Sequence, residues 1–162
     1  TTLEEITAAV AELSSTKTGA LIVLEQGVHL EDVCLTGVRL DAKITAALLG
    51  SIFFDQGPLH DGATIVQGNE IAAAACRLPL SENPKLSSQL HMRHRAAIGI
   101  TEQSDAWCIV ISEERGSISL AHRGIIESFS DAHALRERIR KEMFPESTPS
   151  RRRRGSSREE AS

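Results

Sequence analysis

The sequence predicts an α/β domain of mixed α+β character, in which one central mixed sheet carries helices on its faces. Three observations carry that expectation. Stretches of helical and of strand character follow one another as helix, strand, helix, hairpin, helix, hairpin, helix. No internal repeat or second core divides them. The length, 162 residues with 41% hydrophobic and 25% charged, is one globular domain's worth, enough to bury a core without metal or disulfide staples. The domain is expected over residues 1–144, followed by a disordered Arg/Ser-rich tail at 145–162 whose apolar content is too low to order it.

In order, Thr2 and Glu5 match a capping box, and Leu3, Ile6, Val10 and Leu13 recur at helical spacing, so residues 3–14 read as an amphipathic helix. "ALIVLE" at 20–25 is a short apolar run that suits a buried strand. Residues 26–40 read as loop with a short strand, after which Asp41 is placed to cap a helix running to about Phe54, with Ile44, Leu48 and Ile52 on one face. Gly57-Pro58 marks a turn, "ATIVQ" a strand, and Gly68-Asn69 a tight hairpin before "EIAAAACRL". Alanine favours helix in that second arm, but the hairpin signal favours strand. A polar loop at 78–88 precedes a helix from about Leu90 to Gln103. "WCIVIS" and "SISLA" then flank the turn "EERG", and Ser130 or Asp131 caps a last helix carrying Leu135, Ile139 and Met143 on one face.

Composition excludes several function classes. Four Phe, one Trp and no Tyr leave little material for stacking single-stranded bases. Cys34, Cys76 and Cys108 are odd in number and sit in apolar runs, as buried reduced thiols of a cytosolic protein do. No apolar run reaches the roughly 20 residues of a membrane span, and no signal peptide opens the chain. A cytoplasmic location is therefore expected, at the membrane's cytoplasmic face if an anchor precedes Thr1. The net charge is −4, and the tail's five Arg against three Glu leave −6 on the body. An acidic body repels polyanions, so an anion site must rest on local cations. The interval 77–95 supplies them: Arg77, Lys85, Arg93 and Arg95 face only Glu82, with His91 and His94 nearby.

Four segments gather polar groups at predicted element ends: "LHDGA", "CRLPLS", "RHRAA" and "ISEERG". Arg93, His94 and Arg95 fall in the first helical turn, where free N–H groups and the dipole favour an anion; the plain alternative is a solvated basic turn. Successive helical residues diverge by about 100°, so all three meet one ligand only if the turn is irregular. Gly62 and Ala63 expose backbone to close approach, and Asp61 adds a carboxylate suited to a hard divalent cation; the alternative is a common Asp-Gly turn. Ser112 offers a hydroxyl to phosphate, while Glu113 and Glu114 offer metal or hydroxyl contacts, unless this is only a charged hairpin tip. A zinc site of His91 and His94 with His60, Asp61 or Cys76 is conceivable, but no known zinc spacing is reproduced. Arg151–Arg154 on the tail suit non-specific nucleic-acid contact or a solvated appendage; no specific nucleic acid is expected.

Taken together, "GALIVLE", "PLHDGA", "NEIAAAACRLPLS", "RHRAAIGI", "SDA" and "ISEERGSIS" resemble, across roughly residues 3–124, the diadenylate cyclase domain family. The pattern is similar to catalytic domains of membrane-anchored bacterial cyclic di-AMP synthases. The resemblance implies condensation of two ATP into cyclic di-AMP and two pyrophosphates by a homodimer or higher homo-oligomer whose half-sites meet face to face. It implies that Asp61 serves the metal and the attacking hydroxyl, that Gly62 and Ala63 line the nucleotide, and that Leu78 meets adenine. Arg93, His94 and Arg95 would bear on the phosphates, with Ser112 and Glu113 also at the nucleotide. Glu114 and His60 would join Asp61 at Mg²⁺ or Mn²⁺. One departure stands out: the family reads Gly-Thr before the RHR triplet, and here His91-Met92 takes those places. A thioether cannot donate the hydrogen bond that a threonine hydroxyl gives to phosphate. Two readings follow, an active cyclase or a catalytically silent ATP- or cyclic di-AMP-binding regulatory module.

Overall fold

Two overlapping Thr-x-x-Glu frames open the chain, and only one of them caps the first helix. In a computed structural model, which describes residues 1–86 and 91–143, helix α1 (Thr2–Ser15) starts one residue earlier than expected. Thr1 is its N-cap: the Thr1 hydroxyl accepts from the Glu4 N–H at 3.2 Å, and the Thr1 ammonium donates to the Glu4 carboxylate at 3.1 Å. Glu5, expected to close the box, instead accepts the Ala46 N–H at 2.7 Å, where the start of a later helix offers an unpaired donor. The apolar stripe of α1 is buried through Leu3, Ile6, Ala9, Val10 and Leu13.

Strand β1 (Ala20–Leu24) is buried along its whole length. A short helix α2 (Glu31–Cys34) and strand β2 (Val38–Lys43) follow, then α3 (Ala46–Phe53). The expected cap at Asp41 is not formed. Asp41 lies within β2 with a left-handed φ of 48°, and its carboxylate accepts from Arg39 at 2.9 Å. Thr45 caps α3 instead, its hydroxyl accepting the Leu48 N–H at 3.0 Å. The hairpin of β3 (Ala63–Gln67) and β4 (Glu70–Cys76) forms as expected despite its run of alanines. Helix α4 (Met92–Gln103) carries the basic triplet; its expected start near Leu90 lies outside the described residues.

Strands β5 (Trp107–Ile111) and β6 (Ile118–His122) make the second expected hairpin, and an unexpected strand β7 (Ile125–Phe129) extends it. The turn into β7 is made by Arg123 and Gly124, both at positive φ (54° and 78°), as a tight two-residue hairpin demands. In α5 (Ala132–Met143), Asp131 rather than Ser130 is the cap, accepting the Ala134 N–H at 2.8 Å. The tail after Met143, with its arginines, lies outside the described residues.

The seven strands form one sheet in the order β2-β4-β3-β1-β5-β6-β7, parallel only between β1 and β3. One face is covered by α1, α3 and α5, with Leu13, Ile52, Phe53, Leu135 and Ile139 in its core. The other is covered by α4, whose Ala96, Ala97 and Ile100 pack on Val23, Ile65, Cys108 and Val110. The expected α/β domain with a helix-flanked mixed sheet is what forms. Cys34, Cys76 and Cys108 are buried and unpaired. Among the described residues no helix is long and apolar enough to cross a membrane.

Candidate active site

Strand direction decides where the polar segments meet. Ala20 pairs with Ile111, Ala63 with Cys76, and β1 runs parallel to β3, so the starts of β1 and β3 and the ends of β4 and β5 share one end of the sheet, the rim where its strands stop. From that rim emerge "HDG", "RLPL" and "SEE", and the start of α4 comes over them. They enclose an open cleft of about 1210 Å³ lined by Asp61, Gly62, Leu78, Arg93, His94 and Ser112, among others.

Each wall has a local cause. Gly62 sits at φ +116°, and a Cβ there would stand 2.8 Å from the Cys76 carbonyl oxygen and 2.9 Å from the Ala75 carbonyl carbon. Only glycine lets this segment lie on the end of β4, which leaves the Asp61 carboxylate exposed at the cleft. His60, beside it, is oriented by a 2.8 Å contact between Nδ1 and the Gly57 carbonyl. Leu78 and Leu80 bring apolar surface. The Ser112–Gly116 turn is closed by the Gly116 N–H donating to Ser112 O at 2.7 Å, and the Ser112 hydroxyl accepts from the Glu114 N–H at 3.2 Å.

The cations are held lightly. Arg93 Nη1 lies 3.1 Å from Glu113, whose side chain is 69% exposed, and His91 Nε2 lies 3.4 Å from Glu114. Such exposed pairs contribute little, about 0–1 kcal/mol, so an incoming anion could compete with Glu113 for Arg93. His94 differs. Burial, and then the charges of His91 and Arg93, hold its pKa below 6.5, and its buried Nδ1 has no hydrogen-bond partner among the described residues. The imidazole therefore stays neutral where the unfolded chain would take up a proton. Stability is expected to fall as pH drops from 6.5 through the depressed native value. Denaturant titrations across that range should show this slope, and His94→Gln should flatten it.

Of the residues expected at the site, His60, Asp61, Gly62, Leu78, Arg93, His94, Ser112, Glu113 and Glu114 all line this cleft. Ala63 and Arg95 do not. Ala63 is fully buried at the start of β3. Arg95 lies two residues past Arg93 on α4, and its carbonyl accepts the Ser81 N–H at 3.0 Å, fastening the "LPLS" segment to the helix. Arg77, Leu80 and Met92 also line the cleft. Arg77 belongs to the basic interval and was legible there, and Met92 stood out as the residue in place of the family threonine; Leu80 carried no signal beyond its place in "CRLPLS".

The zinc alternative is not supported. Among the described residues no three of His, Cys, Asp and Glu are grouped to hold a metal, and burial pushes the Cys76 thiol up to about 11, away from the thiolate zinc requires. A hard cation needs less from the protein. Mg²⁺ commonly takes one or two carboxylates and completes its shell with water and substrate phosphates. Asp61 and the glutamates of the facing turn fit that donor set.

Fold and cleft define a class: a mixed α/β domain with an anion-receptive site at one end of its sheet. The chain belongs to the DAC family, whose model, described as DisA bacterial checkpoint controller nucleotide-binding, matches residues 7–126. It is 45% identical over 141 residues to cyclic di-AMP synthase CdaA of Bacillus subtilis, an alignment covering 87% of this chain and 52% of the relative. It is 49% identical over 125 residues to diadenylate cyclase CdaS of Bacillus thuringiensis, covering 77% and 62%. The crystal structure of DacA from Staphylococcus aureus, a double mutant, superposes with a TM-score of 0.83 at 41% identity, covering 86% of this chain and 93% of that one. The chain thus spans between half and two thirds of the length of these two curated relatives.

Proposed function

We propose that this chain is the catalytic domain of a diadenylate cyclase that joins two ATP into cyclic di-AMP with release of two pyrophosphates. The observation that carries the reading is the placement of Asp61 and Gly62 in one cleft with Arg93, His94 and Ser112. The names of the relatives support it. In each half-reaction the ribose 3′-oxygen bonds to the α-phosphorus of the other ATP. The bond from that phosphorus to the β-bridging oxygen breaks, pyrophosphate leaves with the electron pair, and the hydroxyl proton is lost.

Each residue has a share. Gly62 lets the nucleotide approach the backbone, and Leu78 gives adenine an apolar face. Arg93 and the Ser112 hydroxyl donate to phosphate oxygens. His94, neutral beforehand, gains from protonation as a polyphosphate arrives. Asp61, with one carboxylate of the facing turn such as Glu114, would hold a Mg²⁺ or Mn²⁺ ion whose other ligands are water and substrate phosphates. His60 makes no third member of such a group among the described residues. When bound, the ion would neutralise charge on the reacting phosphate and on leaving pyrophosphate. Asp61 also accepts the 3′-hydroxyl proton.

A two-fold product requires two sites face to face, so one chain holds half an active site and the working unit is a homodimer or larger. ATP as substrate places the domain on the cytoplasmic side. Met92 favours a second reading: it is 64% exposed at the first residue of α4 and lines the cleft, with no hydroxyl to donate. On that reading the chain binds nucleotide without turning it over.

Purified protein incubated with ATP and Mg²⁺ or Mn²⁺ should yield cyclic di-AMP by mass spectrometry. ATP bound without product would favour the silent module. A rate strictly proportional to protein, down to concentrations where ultracentrifugation shows only monomer, would overturn the two-copy requirement.

A further inference from the structure

We infer that Gly19 is a positioning residue for Arg93: the missing side chain at the head of β1 is the seat on which the guanidinium rests. The inference rests on the reading of Arg93 as a phosphate ligand. A Cβ built on Gly19 would stand 2.5 Å from Arg93 Cζ, 2.5 Å from Nη1 and 2.7 Å from Nη2. These distances are far inside contact, and the three nearest atoms all belong to one guanidinium. Gly19 also lies outside the left-handed φ region, so an L-residue fits its backbone without strain. A methyl group there therefore leaves the fold in place and displaces the far end of a flexible side chain.

The surroundings make the displacement consequential. Ser14 near the end of α1 donates its hydroxyl to Gly116 O at 2.6 Å, tying the α1–β1 connection to the turn that carries Ser112 and Glu113. Glu113, the acidic partner of Arg93, lines both the main cleft and a neighbouring cavity of about 740 Å³ that Gly19 also lines. A guanidinium pushed off Gly19 has open space to enter and a carboxylate to follow. A planar fork that makes paired bonds to phosphate loses them when its plane shifts by an ångström or two.

The test is a double-mutant cycle on the full chain with Gly19→Ala, Arg93→Ala and both together, read as affinity for ATP and for inorganic tripolyphosphate. Gly19→Ala alone should weaken both by about tenfold with the melting temperature kept, and should add nothing once Arg93 is already Ala. An equal loss in both backgrounds, or no loss in either, overturns the inference. A crystal structure of Gly19→Ala with the guanidinium unmoved does the same. Failure of the functional reading looks different: the unaltered chain makes no cyclic di-AMP from ATP, whatever the cycle and the guanidinium position show.

Discussion

Replacing Asp61 by Asn is expected to lower cyclic di-AMP formation by about 10²–10⁴-fold while leaving the fold and ATP binding close to those of the unaltered chain. Asn has the same shape and keeps one carbonyl acceptor, but it has no negative charge to hold a cation and no base to receive the 3′-hydroxyl proton. The fold should not notice, because Asp61 is exposed and its side chain makes no hydrogen bond or ion pair among the described residues. ATP binding should survive because Arg93, Ser112 and Leu78 remain. Calorimetric ATP titration, thermal unfolding and mass spectrometry of the product, run on both proteins, separate these claims. Turnover undiminished in Asp61→Asn would remove the carboxylate from the mechanism, and an early melt would show that it holds the backbone instead.

How much of this site could be read before the fold was known follows from the range of each interaction. Turns and hairpins are local, and Gly68-Asn69 and "EERG" were legible because their backbone demands are met by neighbouring residues. The alanines of β4 were legible only through the turn before them. Caps were less so: Asp41 and Thr45 both have side chains able to accept from a helix start, and the choice fell to Thr45 because Arg39 holds Asp41 within β2. Strand β7 lacked a pattern, since its residues are mostly exposed at the sheet's edge. The convergence of "HDG", "RLPL", "RHR" and "SEE" depends on strand order, which no local pattern encodes; family resemblance supplied it. Within the triplet, helical phase decided that Arg93 and His94 line the cleft and Arg95 does not. Gly19 was visible only as the first letter of "GALIVLE", and its role was not, because that role is defined by a side chain far along the chain.

Gly99→Ala reverses the sign that helix propensity assigns. In an exposed helix the change stabilises by about 1 kcal/mol, and Gly50 in α3, with open space where a Cβ would go, should behave that way. Gly99, inside α4, should instead lose about 1–3 kcal/mol. A Cβ there would overlap the Pro79 carbonyl oxygen and stand 2.7 Å from its carbon and 2.9 Å from the Ser81 nitrogen. These are backbone atoms, and they are anchored: the Ser81 N–H donates to Arg95 O at 3.0 Å and its hydroxyl to Glu102 at 2.8 Å. Nor can α4 retreat, with Ala97 and Ile98 at 0% exposure and Ile100 at 3%. The strain has to move the "LPLS" segment, and with it the Leu78 and Leu80 wall of the cleft. The melting temperature should drop by roughly 5–10 °C, and ATP affinity should fall with it, whereas Gly50→Ala raises the first and leaves the second alone. A Gly99→Ala protein as stable as the parent would mean that helix and loop are not in backbone contact, and that the apolar wall of the cleft is held by something other than the close approach of α4.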